Sequence, residues 1–87
     1  MAPHQPDYEK VRARGRRDAE ALVKKAPEDP LERVAWASGF SERDELMTAI
    51  TAARSAGMTW REIGEAAGVP MRTVISRYER ARKRGKG

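Results

Sequence analysis

Apolar residues recur at helical spacing in five stretches, and nowhere do β-branched residues alternate with polar ones at the period of two that marks a strand. Asp7, behind Pro6, is placed to cap a first helix running to about Lys25, where Ala26-Pro27 stops it. Its apolar positions, Tyr8, Val11, Ala19, Leu22, Val23 and Ala26, are sparse. Gly15 interrupts it within a basic cluster of Lys10, Arg12, Arg14, Arg16 and Arg17, at a cost of about 1 kcal/mol relative to alanine. Asp29-Pro30 opens a second, short helix with Leu31, Val34 and Ala35 or Trp36 on its apolar face, ending near Gly39. A third begins at Ser41, with Asp44 as the acidic member of a capping box. It carries Leu46, Ile50 and Ala53, with Met47 and Ala49, along one side until Gly57.

Thr59-Trp60-Arg61-Glu62 is a second capping box and predicts a fourth helix from about Trp60 to Ala67. Gly68 can take the left-handed conformation that closes it. Val69 follows as an apolar plug, and Pro70 suits the first turn of a fifth helix reaching about Lys83. The expected fold is a small all-α domain of about five helices with a C-terminal helix-turn-helix. The spacing supports that unit from within: Gly64 is small where two helices would cross, Gly68 turns the chain four positions later, and Val74 is apolar six further on. Ile63, Ala67 and Val69 complete the apolar set. Residues 1–28 are expected to form an N-terminal helical arm, and residues 29–87 the helix-turn-helix domain.

Length and composition narrow the function. Eighty-seven residues, 39% apolar and 36% charged, fill one core and leave no room for a large catalytic fold. Without cysteine, and with His4 as the sole histidine, the chain lacks the residues that zinc fingers, iron-sulfur ligation and thiol catalysis require. No cofactor or metal is expected. The carboxylates have no nucleophile beside them, so no enzyme is expected either. No apolar run reaches the roughly 18 to 20 residues of a bilayer span and residues 1–6 do not resemble a secretory signal, which points to a cytoplasmic protein with no membrane partner. The net charge of +5 is unevenly placed: residues 1–70 carry 11 Lys/Arg against 12 Asp/Glu, whereas residues 71–87 carry seven cations against Glu79 alone. Such a patch suits a polyanion, since each neutralised phosphate releases counterions.

The segment from Thr59 to Arg84, TWREIGEAAGVPMRTVISRYERARKR, resembles the helix-turn-helix of the fourth conserved region of bacterial sigma factors, which reads the promoter −35 element. Its specific part is Thr73-Val74, Ser76-Arg77 and Arg80-Ala81-Arg82-Lys83, similar to the TV-x-SR-x-x-RARK ending of that region. Tyr78 stands where a leucine is usual. The longer domain that melts the −10 element has no counterpart in residues 1–58, so the expectation is a sigma-like module in a small regulator associated with the nucleoid. The resemblance implies that the fifth helix is the recognition helix and that Arg77 contacts phosphate.

Helical geometry assigns the faces independently. At about 100° per residue, Val74, Tyr78, Ala81, Pro70 and Met71 form an apolar stripe, while Arg72, Ser76, Glu79 and Lys83 fall within about 40° of the opposite side, flanked by Thr73 and Arg80. Arg72 can donate two hydrogen bonds to guanine, and Ser76 can pair with several base edges; Thr73 and Ile75 complete the candidate base contacts. Ile75 fits either a thymine methyl or the edge of the core. Glu79 fits either cytosine N4 or an ion pair with Arg82 or Lys83. The candidate phosphate contacts are Arg77, Arg80, Arg82, Lys83 and Arg84, with Thr59 and Arg61 at the start of the fourth helix.

The expected function is sequence-specific binding of double-stranded DNA, as a repressor or autoregulator that occupies a promoter. The rival is a sigma-like interaction module that binds RNA polymerase or another regulator. A third reading, single-stranded nucleic acid or RNA, would use Trp36 and Trp60 as stacking platforms, against which core packing competes for the chain's five aromatics. The first helix mixes Arg12, Arg14, Arg16 and Arg17 with Asp7, Glu9, Asp18 and Glu20. That balance favours a weak homodimer contact through Val11, Leu22 and Val23 over a basic arm tracking the DNA backbone.

Overall fold

A computed structural model of the chain describes residues 7–40 and 43–85, and among them every regular element is a helix: α1 (Tyr8–Glu20), α2 (Pro30–Ala37), α3 (Arg43–Ser55), α4 (Trp60–Ala67) and α5 (Met71–Gly85). Their starts follow local chemistry. Asp7 accepts from the Lys10 amide at 3.3 Å, and Asp29 accepts from the Glu32 amide at 3.0 Å with Pro30 behind it. Ser41, expected to cap α3, and His4 lie outside the described residues, as do the side chain of Arg84 and the whole of Lys86. Within the described residues no helix is long and apolar enough to cross a membrane.

The core gathers around α2, whose last four residues, Val34, Ala35, Trp36 and Ala37, are all buried, so this turn is enclosed rather than amphipathic. Ala49, Ile50 and Ala53 of α3, Ile63, Ala66 and Ala67 of α4, and Val74 of α5 complete it. Six of these eleven side chains are alanines, which lets the helix axes approach closely. Trp36 is the largest buried side chain, and its indole Nε1–H donates to Asp18 of α1 at 2.8 Å, satisfying the polar atom that burial would otherwise orphan. Phe40 packs on Trp36 with ring centroids 4.4 Å apart.

The first helix departs from expectation at its end. It stops at Glu20, not near Lys25, because Leu22 takes a left-handed conformation (φ 58°) and the amides of Leu22 and Val23 turn back to the carbonyls of Ala19 and Asp18 at 3.2 and 2.8 Å. The reversal lets residues 23–29 return the chain so that α2 crosses α1. At that crossing Gly15 is required: a Cβ there would lie 1.9 Å from the Trp36 carbonyl oxygen. Gly39 meets the opposite side of the same contact, where a Cβ would come within 2.6 Å of the Arg12 carbonyl oxygen. Two glycines therefore let the backbones of α1 and the end of α2 touch. α1 is packed on α2 and α4, so no break in packing separates residues 7–28 from the rest. Of the apolar trio expected to serve a dimer, Val11 packs on the core, whereas Leu22 and Val23 are exposed.

Candidate nucleic-acid interface

The α4–α5 unit is built from short-range instructions. Thr59 Oγ1 accepts from the Glu62 amide at 3.1 Å and Glu62 Oε1 accepts from the Thr59 amide at 2.9 Å, the reciprocal pair that opens α4. These bonds from Thr59, backbone first and hydroxyl second, hold the Glu62 carboxyl below its usual range. Gly68 closes α4 in the left-handed region (φ 76°), with its amide on the carbonyls of Gly64 and Glu65, and the Val69 amide also reaches Gly64. The Pro70 carbonyl accepts from the amides of Thr73 and Val74 and starts α5.

Gly64 lets the second helix lie close. A Cβ there would stand 3.0 Å from the Val69 carbonyl oxygen and 3.2 Å from the Met71 backbone. It is the Met71 backbone that lies against Gly64, and the residue is 48% exposed rather than part of the core stripe. The stripe rests instead on buried Val74, with Tyr78 and Ala81 half-buried along it and Pro70 exposed. Tyr78 meets Trp60 edge-on at 5.2 Å, and the Arg54 guanidinium covers Trp60 at 4.6 Å. Tyr78 thus has an aromatic partner on α4.

With its inner face held, α5 turns Arg72, Ser76, Arg77, Glu79, Arg80, Arg82 and Lys83 to solvent. Thr73 and Ile75 are half-buried at its flanks, and Ile75 is not among the apolar side chains packed on the core. Among the described residues no carboxylate pairs with Arg72, Arg77, Arg80 or Lys83, and the ion pair considered for Glu79 with Arg82 or Lys83 is not formed; Arg82 lies 5.8 Å from the Tyr78 ring centroid. The structure therefore brings together the expected residues of α5. It leaves Thr59 and Arg61 engaged locally, the Thr59 hydroxyl donating to Glu62 at 3.0 Å and Arg61 near Glu65 at 4.0 Å.

Neither tryptophan matches the stacking platforms considered from the sequence. Trp36 is 1% exposed, and Trp60 carries Arg54 over its ring. The sequence assigns no internal partner to Arg12 and no role to Arg54, because their partners lie on other elements or in the turn that follows; Arg54 also donates to the Met58 carbonyl at 2.9 Å. Composition signals only that an arginine is present, whereas its use depends on which carbonyl or ring the fold delivers. No family model, curated protein sequence or solved structure matches the chain.

Proposed function

We propose that this chain is a sequence-specific double-stranded DNA-binding regulator of transcription that inserts α5 into the major groove. The observation that carries the reading is the division of α5: Val74 and Tyr78 fix one side to the core, while Arg72, Arg80 and Lys83 stand on the other and Arg77 is exposed at the flank, none with a carboxylate partner among the described residues. Cations that neutralise no internal charge are available to phosphates, and an α-helix is the element that a B-form major groove admits. In this arrangement Arg72 and Ser76, in the first turns, read base edges, with Thr73 and Ile75 beside them. Arg77, Arg80, Arg82, Lys83 and Arg84 hold the backbone and set the register. Regulation follows from occupancy, with the bound protein covering promoter DNA against polymerase.

The test is fluorescence anisotropy with a labelled duplex two helical turns long and with the matching single strand, in the absence of RNA polymerase. The reading expects preference for the duplex. With about five phosphate contacts, each contributing a slope of about −0.9, a fourfold rise in salt lowers affinity by about 500-fold. Equal or tighter binding to the single strand, or no binding until polymerase is added, contradicts it.

A further inference from the structure

We propose that Arg12, carried by α1, is a positioning residue for α5: it clamps the α4–α5 turn from behind and so fixes the angle at which the outer face of α5 is presented. The proposal deepens the DNA-binding reading above and rests on it.

The end of α4 offers a carbonyl that a side chain from another helix fills. At a helix C-terminus the last carbonyls have no partner within the helix. Here those of Gly64 and Glu65 are taken by the amides of Gly68 and Val69, and the Ala66 carbonyl receives Arg12 Nη1 at 3.0 Å. A guanidinium at that end also complements the negative pole of the α4 dipole. The same group occupies the space beside Gly68, where a Cβ would come within 2.9 Å of Arg12 Cζ. Gly68 therefore meets two demands at once, a left-handed φ of 76° and room for the guanidinium.

A clamp is useful only if its own base is rigid, and α1 is held firmly. Gly15 lies against the Trp36 carbonyl, the Arg12 carbonyl lies against Gly39, and Asp18 accepts from the Trp36 indole. Arg12 thus links this crossing to a turn 54 residues away in sequence. Two residues beyond that turn the base-reading face begins at Arg72. A small change in the turn changes the tilt of the whole helix, and direct base contacts depend on tilt far more than phosphate contacts do.

The experiment compares Arg12→Met, which keeps an apolar stem without the donor, with Arg12→Lys, which retains the charge and an N–H donor group. Native-state hydrogen exchange is read at Gly68 and Val69 and, as a control, at Gly39 and the Trp36 indole. Arg12→Met should speed exchange at Gly68 and Val69 about tenfold without moving the controls, and Arg12→Lys should recover most of the protection. Binding is measured on a duplex enriched from a random-sequence pool by the unaltered chain and on its scrambled version. The ratio of the two affinities should fall about tenfold in Arg12→Met, with the scrambled duplex bound as before. Unchanged exchange at Gly68, or acceleration through all the helices alike, overturns the proposal. So does equal weakening on both duplexes with a shallower salt slope, which would make Arg12 a phosphate contact. A pool in which no sequence is enriched counts instead against sequence-specific DNA binding, and the exchange measurements still decide whether Arg12 fixes the turn.

Discussion

The helices α1 and α5 carry similar runs of basic residues, and two members of the α1 run are used internally. In α1, Arg12 reaches inward to Ala66, and Arg14 pairs with Asp18 at 3.6 Å and donates to the Lys25 carbonyl at 3.3 Å. In α5, Arg72, Arg77, Arg80 and Lys83 have no carboxylate partner among the described residues, and one acid, Glu79, shares the helix. The density of cations alone therefore does not mark a binding face. The two differ at Arg12 and Arg14, for which the fold supplies internal partners; Lys10, Arg16 and Arg17 of α1 are exposed and, like the cations of α5, have no carboxylate partner among the described residues.

The largest expected effect breaks the anchored member of the pair. Gly15→Ala should destabilise the chain by about 3 kcal/mol, even though alanine is the better helix former by about 1 kcal/mol, because its Cβ meets backbone that cannot swing aside. A thermal melt reads the change, and a raised midpoint would show that α1 and α2 do not cross as described. On α5 the expected loss is of binding rather than stability. Arg72→Ala should weaken specific duplex binding by about 2 kcal/mol and relax preference at one base pair, while the melt stays within about 0.5 kcal/mol. Equal weakening on specific and random duplexes would move Arg72 to the phosphate backbone.

A smaller effect is expected at the start of α4. Thr59→Ala should lower stability by about 1 kcal/mol through loss of the cap. Its partner Glu62 titrates below the usual carboxylate range in the folded chain. That contribution is therefore present above the unfolded carboxyl pKa and is lost as pH falls through the lower, folded value. Melts recorded on the acid side should show this dependence in the natural chain and less of it in Glu62→Gln. Smallest of all is Arg14→Ala, whose half-exposed ion pair should be worth about 0.5 kcal/mol and whose loss should leave duplex binding untouched. A clear drop in duplex affinity there would erase the distinction between the two basic runs.

The parts of the fold legible in sequence are those fixed by neighbours in the chain. Thr59, Glu62 and Gly68 bound α4 at the residues read from the sequence, because a capping box and a left-handed glycine act over three or four positions. The exposed side of α5 follows in the same way from helical period. The end of α1 was not legible: a non-glycine residue, Leu22, turns the chain there, and the demand for that turn comes from where α2 must lie. Gly15 was visible as an anomaly whose cause, the Trp36 carbonyl, belongs to another helix. Met71 had the right angle for the core, but its backbone is what lies against Gly64 and the residue is 48% exposed. Arg12 was the least accessible of these, since neither period nor spacing connects residues so far apart.

The central claim is that α5, and not α1, meets DNA. It is tested most directly by two matched triple variants, Arg72→Ala/Arg77→Ala/Arg80→Ala on α5 and Arg14→Ala/Arg16→Ala/Arg17→Ala on α1, titrated against the same labelled duplex at the same salt. Both remove three positive charges, so the change in net charge is identical. The α5 variant should lose at least about 100-fold in affinity and show a salt slope smaller by about 2, with the α1 variant within about threefold of the natural chain. Equal losses from the two, or a greater loss from α1, would contradict the assignment of α5 as the DNA-binding face.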